Sequence, residues 1–306
     1  MPRIYGEATV TIAAARAKAV NDGFLHDRII PEYLFELPFG CSSGELGSIM
    51  LLKWGHPHWG ELLCGVQWEL QGRQPLMGEP LDSRAWAMQG RLLSTRILGY
   101  GTRQTRWVCC SNTLGSTDGW TLHSEFGSER HELLSSDIFL EHGGVSDESR
   151  RKISFDLLRD WHQLVGQHTD RSLAIQKDRL LALAGLAERY AGILGDRYLA
   201  SLWNSTLPSD LLWSTFLLRS IGFHERPQIY QTPSCSWASV NGNVSFPAKP
   251  PSSVNNLAVV DCHIQLSSLH APFGTVDFGA LVVKRPIQHA ECKPEIPEAR
   301  AGTPRE

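Results

Sequence analysis

The sequence predicts a mixed α/β protein, on three observations. From Asp147 and again from Lys177, apolar residues recur with the period of a helix, whereas short β-branched and aromatic runs elsewhere are bounded by Gly or Pro, as strands are. The third is composition: 42% hydrophobic and 20% charged residues, with ten tryptophans, allow a packed core and argue against a disordered chain. At 306 residues the chain has room for about two structural units.

Taken in order, Ala8 to Ala13 reads as a strand, preceded by one short turn of helix. After an Asn21-Asp22-Gly23 turn, Tyr33 to Leu37 and Ser48 to Trp54 read as extended. Leu81 to Leu93 predicts a helix with Asp82 or Ser83 as N-cap and Trp86, Gln89 and Leu93 at helical spacing. Gly90 is its weak point, at about 1 kcal/mol against Ala. Arg96 to Tyr100 and Gln104 to Cys110 flank Gly101-Thr102-Arg103 as a β-hairpin. Ser111 to Gly144 has no periodicity and is expected as a loop.

In the second half, Ile153, Leu157, Trp161 and Leu164 mark the buried stripe of an amphipathic helix. Leu180, Leu183, Ala184, Ala187, Ala191 and Leu194 mark a second, which Gly195 is placed to end. Pro208 to Leu218 is expected as a third, and Cys235 to Val240, Ala258 to Leu266 and Ala280 to Lys284 as strands. The expected division is an α/β unit over 1–110, a variable loop over 111–146, a helical region over 147–218, a β-rich region over 219–285 and a disordered tail over 286–306.

A net charge of -3, from 29 basic and 32 acidic residues, lacks the basic excess of a phosphate-tracking protein, so nucleic acid is not an expected partner. Seven cysteines without a CxxC pair fit reduced thiols rather than a disulfide framework. Glu7, Arg16 and Lys18 interrupt the apolar start, which reads as a strand rather than a secretory signal. No window reaches the roughly 20 apolar residues of a membrane span. A cytoplasmic location is the expectation, and the sequons at Asn204 and Asn243 then carry little weight.

Each candidate for chemistry has a plainer reading. Gly40-Cys41-Ser42-Ser43-Gly44 fits the G-x-S-x-G elbow of serine hydrolases, but the elbow needs a helix after it and Glu45 to Trp54 reads as extended; a surface turn is expected. His56, His58, Glu61 and Cys64 are metal-capable but match no standard spacing. Cys262 and His263 are neighbours on a strand, where they face opposite sides. Gly99-Tyr100-Gly101 lacks the third glycine of a dinucleotide fingerprint. One of Cys109 and Cys110 is expected in the core, as are the scattered tryptophans. No catalytic residue, metal or cofactor is therefore expected.

Five tracts, in order, carry a family resemblance. Residues Leu81 to Leu98, LDSRAWAMQGRLLSTRIL, resemble "R-[GA]-W-x-x-Q-E-R-x-L-S-x-R", and a strand containing Trp107 follows. Asp178 to Ala187 resembles "D-[KR]-L-x-A-L-x-G-[LI]-A", and Tyr198 to Trp203 resembles "Y-L-A-G-L-W". Pro233 to Val240 resembles "P-S-W-S-W-A-S-V", and Met1 to Ala8 resembles "M-x-x-I-Y-x-x-A". Together they resemble the fungal heterokaryon-incompatibility domain proteins over roughly 1–285.

The resemblance implies a Toll/interleukin-receptor-like, flavodoxin-like α/β fold, and a role in non-self recognition and regulated cell-death signalling through other proteins. It marks Arg84, Trp86, Gln89, Arg91, Leu93, Ser94, Arg96, Ser236, Trp237 and Ser239 as structural or interaction residues. Two upstream blocks of the family are not found, its acidic position is Gly90, and the first Trp of its "W-S-W" is Cys235. The expectation is a degenerate, N-terminally truncated and non-catalytic relative. The alternatives are an NAD-cleaving or nucleotide-processing enzyme, if the missing half exists, and, more remotely, a serine hydrolase through Ser42.

Overall fold

The computed structural model describes residues 2–27, 34–40, 42, 44–52, 79–102, 105–109, 112–117, 147–215, 227–247 and 257–286. Both helices and strands are present, and the chain is mixed α/β.

Helix α1 (Pro2–Glu7) leads into β1 (Thr11–Ala13), the second half of the expected strand. The next two expected strands form a hairpin, β2 (Leu34–Gly40) and β3 (Leu46–Leu52), antiparallel with Gly40 opposite Leu46. Helix α2 (Ala85–Leu93) is shorter than its pattern. A 3-10 turn over Pro80–Ser83 precedes it, and the N-cap is Arg84, without a side-chain cap. Asp82 is engaged elsewhere: it accepts from the Glu79 N–H at 3.1 Å and pairs with Arg91 at 3.2 Å. The buried face of α2 is Ala85, Met88, Gln89, Leu92 and Leu93, whereas Trp86 lies at its margin, 39% exposed.

Strands β4 (Arg96–Tyr100) and β5 (Thr105–Cys109) form the expected hairpin, and β6 (Asn112–Thr117) adds to β5. That third strand lies in the stretch expected to be loop. Its sequence, NTLGST, carries no alternating apolar face; pairing with β5 places it in the sheet. The sheet order is β1-β4-β5-β6, with β1 parallel to β4 and the other pairs antiparallel. Parallel neighbours need a crossover, and α2 lies in the connection between β1 and β4.

Helix α3 (Asp147–Thr169) buries Leu157, Trp161, Leu164 and Val165 completely. After a 3-10 turn (Gln176–Asp178), α4 (Leu181–Leu194) ends on Gly195 at φ 61, the left-handed cap that glycine suits. Leu183, Leu186, Ala187 and Tyr190 are all fully buried, so α4 is central, touching α1, α2 and α3. A two-stranded ribbon follows, β7 (Tyr198–Leu199) and β8 (Leu202–Trp203), around Ala200 and Ser201, both at positive φ (50 and 75).

The third expected helix is a single turn, α5 (Leu207–Asp210). Its continuation is diverted: the Trp213 indole donates to the Cys235 carbonyl at 2.8 Å, and β9 (Ser214–Thr215) pairs with β10 (Val244–Ser245). Residues Cys235 to Val240 are not a strand. Ser236 caps a 3-10 turn over Trp237–Ser239 by accepting from the Ala238 N–H, the competition a serine hydroxyl offers to sheet pairing. Strands β11 (Ala258–Leu266) and β12 (Val276–Lys284) close the described fold as an antiparallel pair. One core joins Leu92, Trp161, Leu183, Trp203, Trp237 and Val276. The expected tail from 287 lies outside the described residues.

Candidate functional site

Most of the family-pattern residues meet along α2 and β4. Gln89, buried on α2, accepts from the Gly185 N–H of α4 at 2.5 Å. The helices approach there because position 185 has no side chain: a Cβ would sit 2.5 Å from Gln89 Oε1 and 2.9 Å from Pro2. The Trp86 indole donates to Asp178 at 3.3 Å, and the Ser94 hydroxyl donates to the Gly90 carbonyl at 2.6 Å and lies 2.8 Å from that of Thr11. Leu93 is buried, Arg84 bridges through its backbone to Ser172, and Arg96 opens β4 opposite Cys109, exposed. Gly90 is no weak point: its absent side chain admits the Tyr5 ring, which would lie 2.8 Å from a Cβ.

The other three sit at the 3-10 turn. Ser236 donates to the Ala200 carbonyl at 2.7 Å, Trp237 is fully buried, and the Ser239 hydroxyl is 3.5 Å from the Ser234 carbonyl. Gln89, Ser94 and Ser236 bond backbone groups, Trp86 bonds Asp178, and Arg91 pairs with Asp82. They fasten segments together and present no nucleophile paired with a base.

Between the two groups lies a buried cluster that the sequence reasoning missed. His168, at the end of α3, is 1% exposed and lies against the backbone of Arg179. Its pKa is pushed down to about 3, first by burial and then by the charges of Arg179 and Arg171, with a smaller opposing contribution from the Arg179 backbone. The Arg179 guanidinium stands 5.6 Å from the Trp237 ring centre and donates from Nη2 to the Gly242 carbonyl at 3.1 Å. Burial alone lowers its pKa to about 10. Arg171, also buried, donates to the Asp82 carbonyl. One signal was present: the stripe Leu157, Trp161, Leu164, extended by one helical turn, lands on His168.

A second unforeseen constellation joins α3 to α5. His162 Nε2 is 2.9 Å from Asp210 Oδ1, and the Thr206 hydroxyl donates to Asp210 Oδ2 at 2.7 Å. Asp210 is buried and His162 stacks on Phe246, with 4.1 Å between ring centres. A carboxylate that holds an imidazole supplies two of the three members of a catalytic triad; among the described residues no nucleophile is bonded to His162, and Phe246 covers one imidazole face.

Ser42 lies at the turn between β2 and β3, so the structure places no helix after it and no elbow forms. His56, His58, Glu61 and Cys64 lie outside the described residues. On β11, Cys262 turns toward the core and His263 outward, near Phe278. Cys109 is half-buried and Cys110 lies outside the described residues. Among the described residues no group of three or more His, Cys, Asp or Glu could hold a metal ion, and no helix is long and apolar enough to cross a membrane.

Comparison with protein-family models, with curated proteins and with solved structures gives no match.

Proposed function

We propose that this chain is a degenerate, non-catalytic protein of the heterokaryon-incompatibility type, acting through other proteins in fungal non-self recognition and regulated cell-death signalling in the cytoplasm. The observation that carries the reading is the meeting of the five tracts that resemble that family. Tyr5 of the first packs on Gly90 of the second, Gln89 of the second bonds Gly185 of the third, and Ser236 of the fifth bonds Ala200 of the fourth. Scattered likenesses have no reason to touch; parts of one fold do. On this reading β1, α2 and β4 belong to a Toll/interleukin-receptor-like α/β domain. The side chains of the tracts are engaged in holding it together, which favours a scaffold over an enzyme.

Induced expression in a filamentous fungus tests this. The expected result is growth arrest with cellular NAD unchanged, lost when Gly185→Val separates α2 from α4. Turnover of NAD by the purified chain, or growth unaffected by wild-type expression, would overturn it.

A further inference from the structure

The ribbon of β11 and β12 has two outer edges, and the chain treats them differently. In an antiparallel pair, the backbone groups of successive residues turn alternately toward the partner strand and away from it. On β11 the Cys262 carbonyl accepts from Arg197 Nη2 at 3.3 Å, a donor outside the pair, so Cys262 and its partner Leu281 turn their backbone groups outward. Arg197 thus stands on the outer edge of β11, where a charged side chain discourages further pairing. By the same alternation Gly279, Leu281 and Val283 turn N–H and C=O to the outer edge of β12, and no group among the described residues takes them. That edge is unguarded. From Phe278 to Val283 it carries no charge and no proline, and on its outward face Phe278 and Val282 are 50% and 49% exposed, with Ala280 exposed between them. A long, apolar, open edge is a template for another strand.

We propose that β12 pairs with β12 of a second copy of this chain, antiparallel about a two-fold axis at Ala280, giving one sheet in the order β11-β12-β12-β11. Three features favour a copy over another partner. The axis sets Gly279 opposite Leu281 of the second copy, and these are residues whose backbone groups face the open edge, so each such pair closes both of its hydrogen bonds. On the exposed face the same register sets Phe278 opposite Val282 of the copy, twice, with the small Ala280 opposite itself where strands approach most closely. The charges agree as well. Asp277 lies near one end of β12 and Lys284 at the other, and antiparallel pairing brings Asp277 within one residue of Lys284 of the copy, whereas parallel pairing sets like charges side by side. Such a contact is isologous and closes at two copies. Arg197 on each outer β11 edge then opposes a third. The pairing does not rest on the signalling role proposed above.

The test is analytical ultracentrifugation of the full chain from about 1 to about 100 μM, the range in which small interfaces assemble. The wild type is expected to pass from one copy to two. Ala280 is exposed in a single copy, so Ala280→Glu leaves the fold intact but sets two carboxylates against each other on the axis, and the dissociation constant is expected to rise at least tenfold. Ala280→Lys is expected to do the same. An equal mixture of the two variants is expected to pair at least as tightly as the wild type, because the axis then carries opposite charges; the mixture is also the control for folding, since only folded copies pair again. A wild type that stays a single copy throughout would overturn the proposal and leave the edge to a strand from another protein. Pairing undiminished in either variant alone would move the interface elsewhere on the surface and overturn it equally, as would a mixture that fails to pair.

Discussion

Midway along α4 the Gly185 N–H meets Gln89 at 2.5 Å, and the neighbouring polar side chains Ser94, Trp86 and Arg91 each find a partner. Just before the same helix begins, Arg179 packs against the buried Trp237, and Arg179 Nε and Trp237 Nε1 are each left without a partner among the described residues. The two regions share a helix and differ in what their polarity does. Along α2 it specifies how two helices dock, since only one register brings Gln89 onto the glycine. At the end of α3 it is used more sparingly: the Arg179 guanidinium donates to the Gly242 carbonyl and stands over the Trp237 ring, and the histidine beside it is held uncharged by burial.

The largest expected effect separates the two regions by pH. His168 has a folded pKa of about 3 against an ordinary 6.5, so below pH 6.5 the unfolded chain takes up a proton that the folded chain refuses. Its contribution is fully present above pH 6.5 and is lost as pH falls toward 3, on the order of 5 kcal/mol in all. Urea unfolding at a series of pH values should show that slope, and His168→Leu should flatten it. A slope unchanged in the variant would show that other groups set the acid sensitivity.

A smaller effect comes from exchanging polar for apolar side chains of similar size. Gln89→Leu removes the acceptor facing Gly185 and should cost about 2 kcal/mol, whereas His168→Leu, which puts an apolar side chain in an uncharged, buried position, should cost less at pH 7. Equal losses from the two substitutions would erase the contrast between the regions. The smallest effect is at Gly90. Alanine there gains about 1 kcal/mol of helix propensity but meets Tyr5 at 2.8 Å, so Gly90→Ala alone should lower stability slightly and should raise it once Tyr5→Ala is also present. Additive effects in that cycle would remove Tyr5 as the reason for the glycine.

What was legible in the sequence was what depends on periodicity or local chemistry. Leu157, Trp161 and Leu164 marked the buried face of α3, Gly195 marked the end of α4, and Gly101-Thr102 marked the β4–β5 turn. What failed depends on partners far along the chain. Helix α5 stops at Asp210, which is held by His162 from 48 residues away, and Ser236 abandons the expected strand for the carbonyl of Ala200, 36 residues away. Strand β6 exists through pairing with β5, not through its own residues. The motif residues were found, but their distribution between two sites was not, because a linear pattern does not tell which residues share a face with a distant helix. His168 was hidden for the opposite reason: it sits in register with apolar residues and passes for one of them.

The β7–β8 turn has a consequence for the order in which the chain assembles. A hairpin with a two-residue loop ordinarily closes in about 1–10 μs from local contacts alone. Here both loop residues adopt left-handed φ without a glycine, which an isolated hairpin resists. What holds them is remote: Ser236 on the Ala200 carbonyl and Trp161 on that of Ser201, 36 and 40 residues away. A connection that looks local therefore waits for α3 and the Ser236 segment to arrive, and the shortest loop in this half of the molecule becomes a late reporter of its assembly.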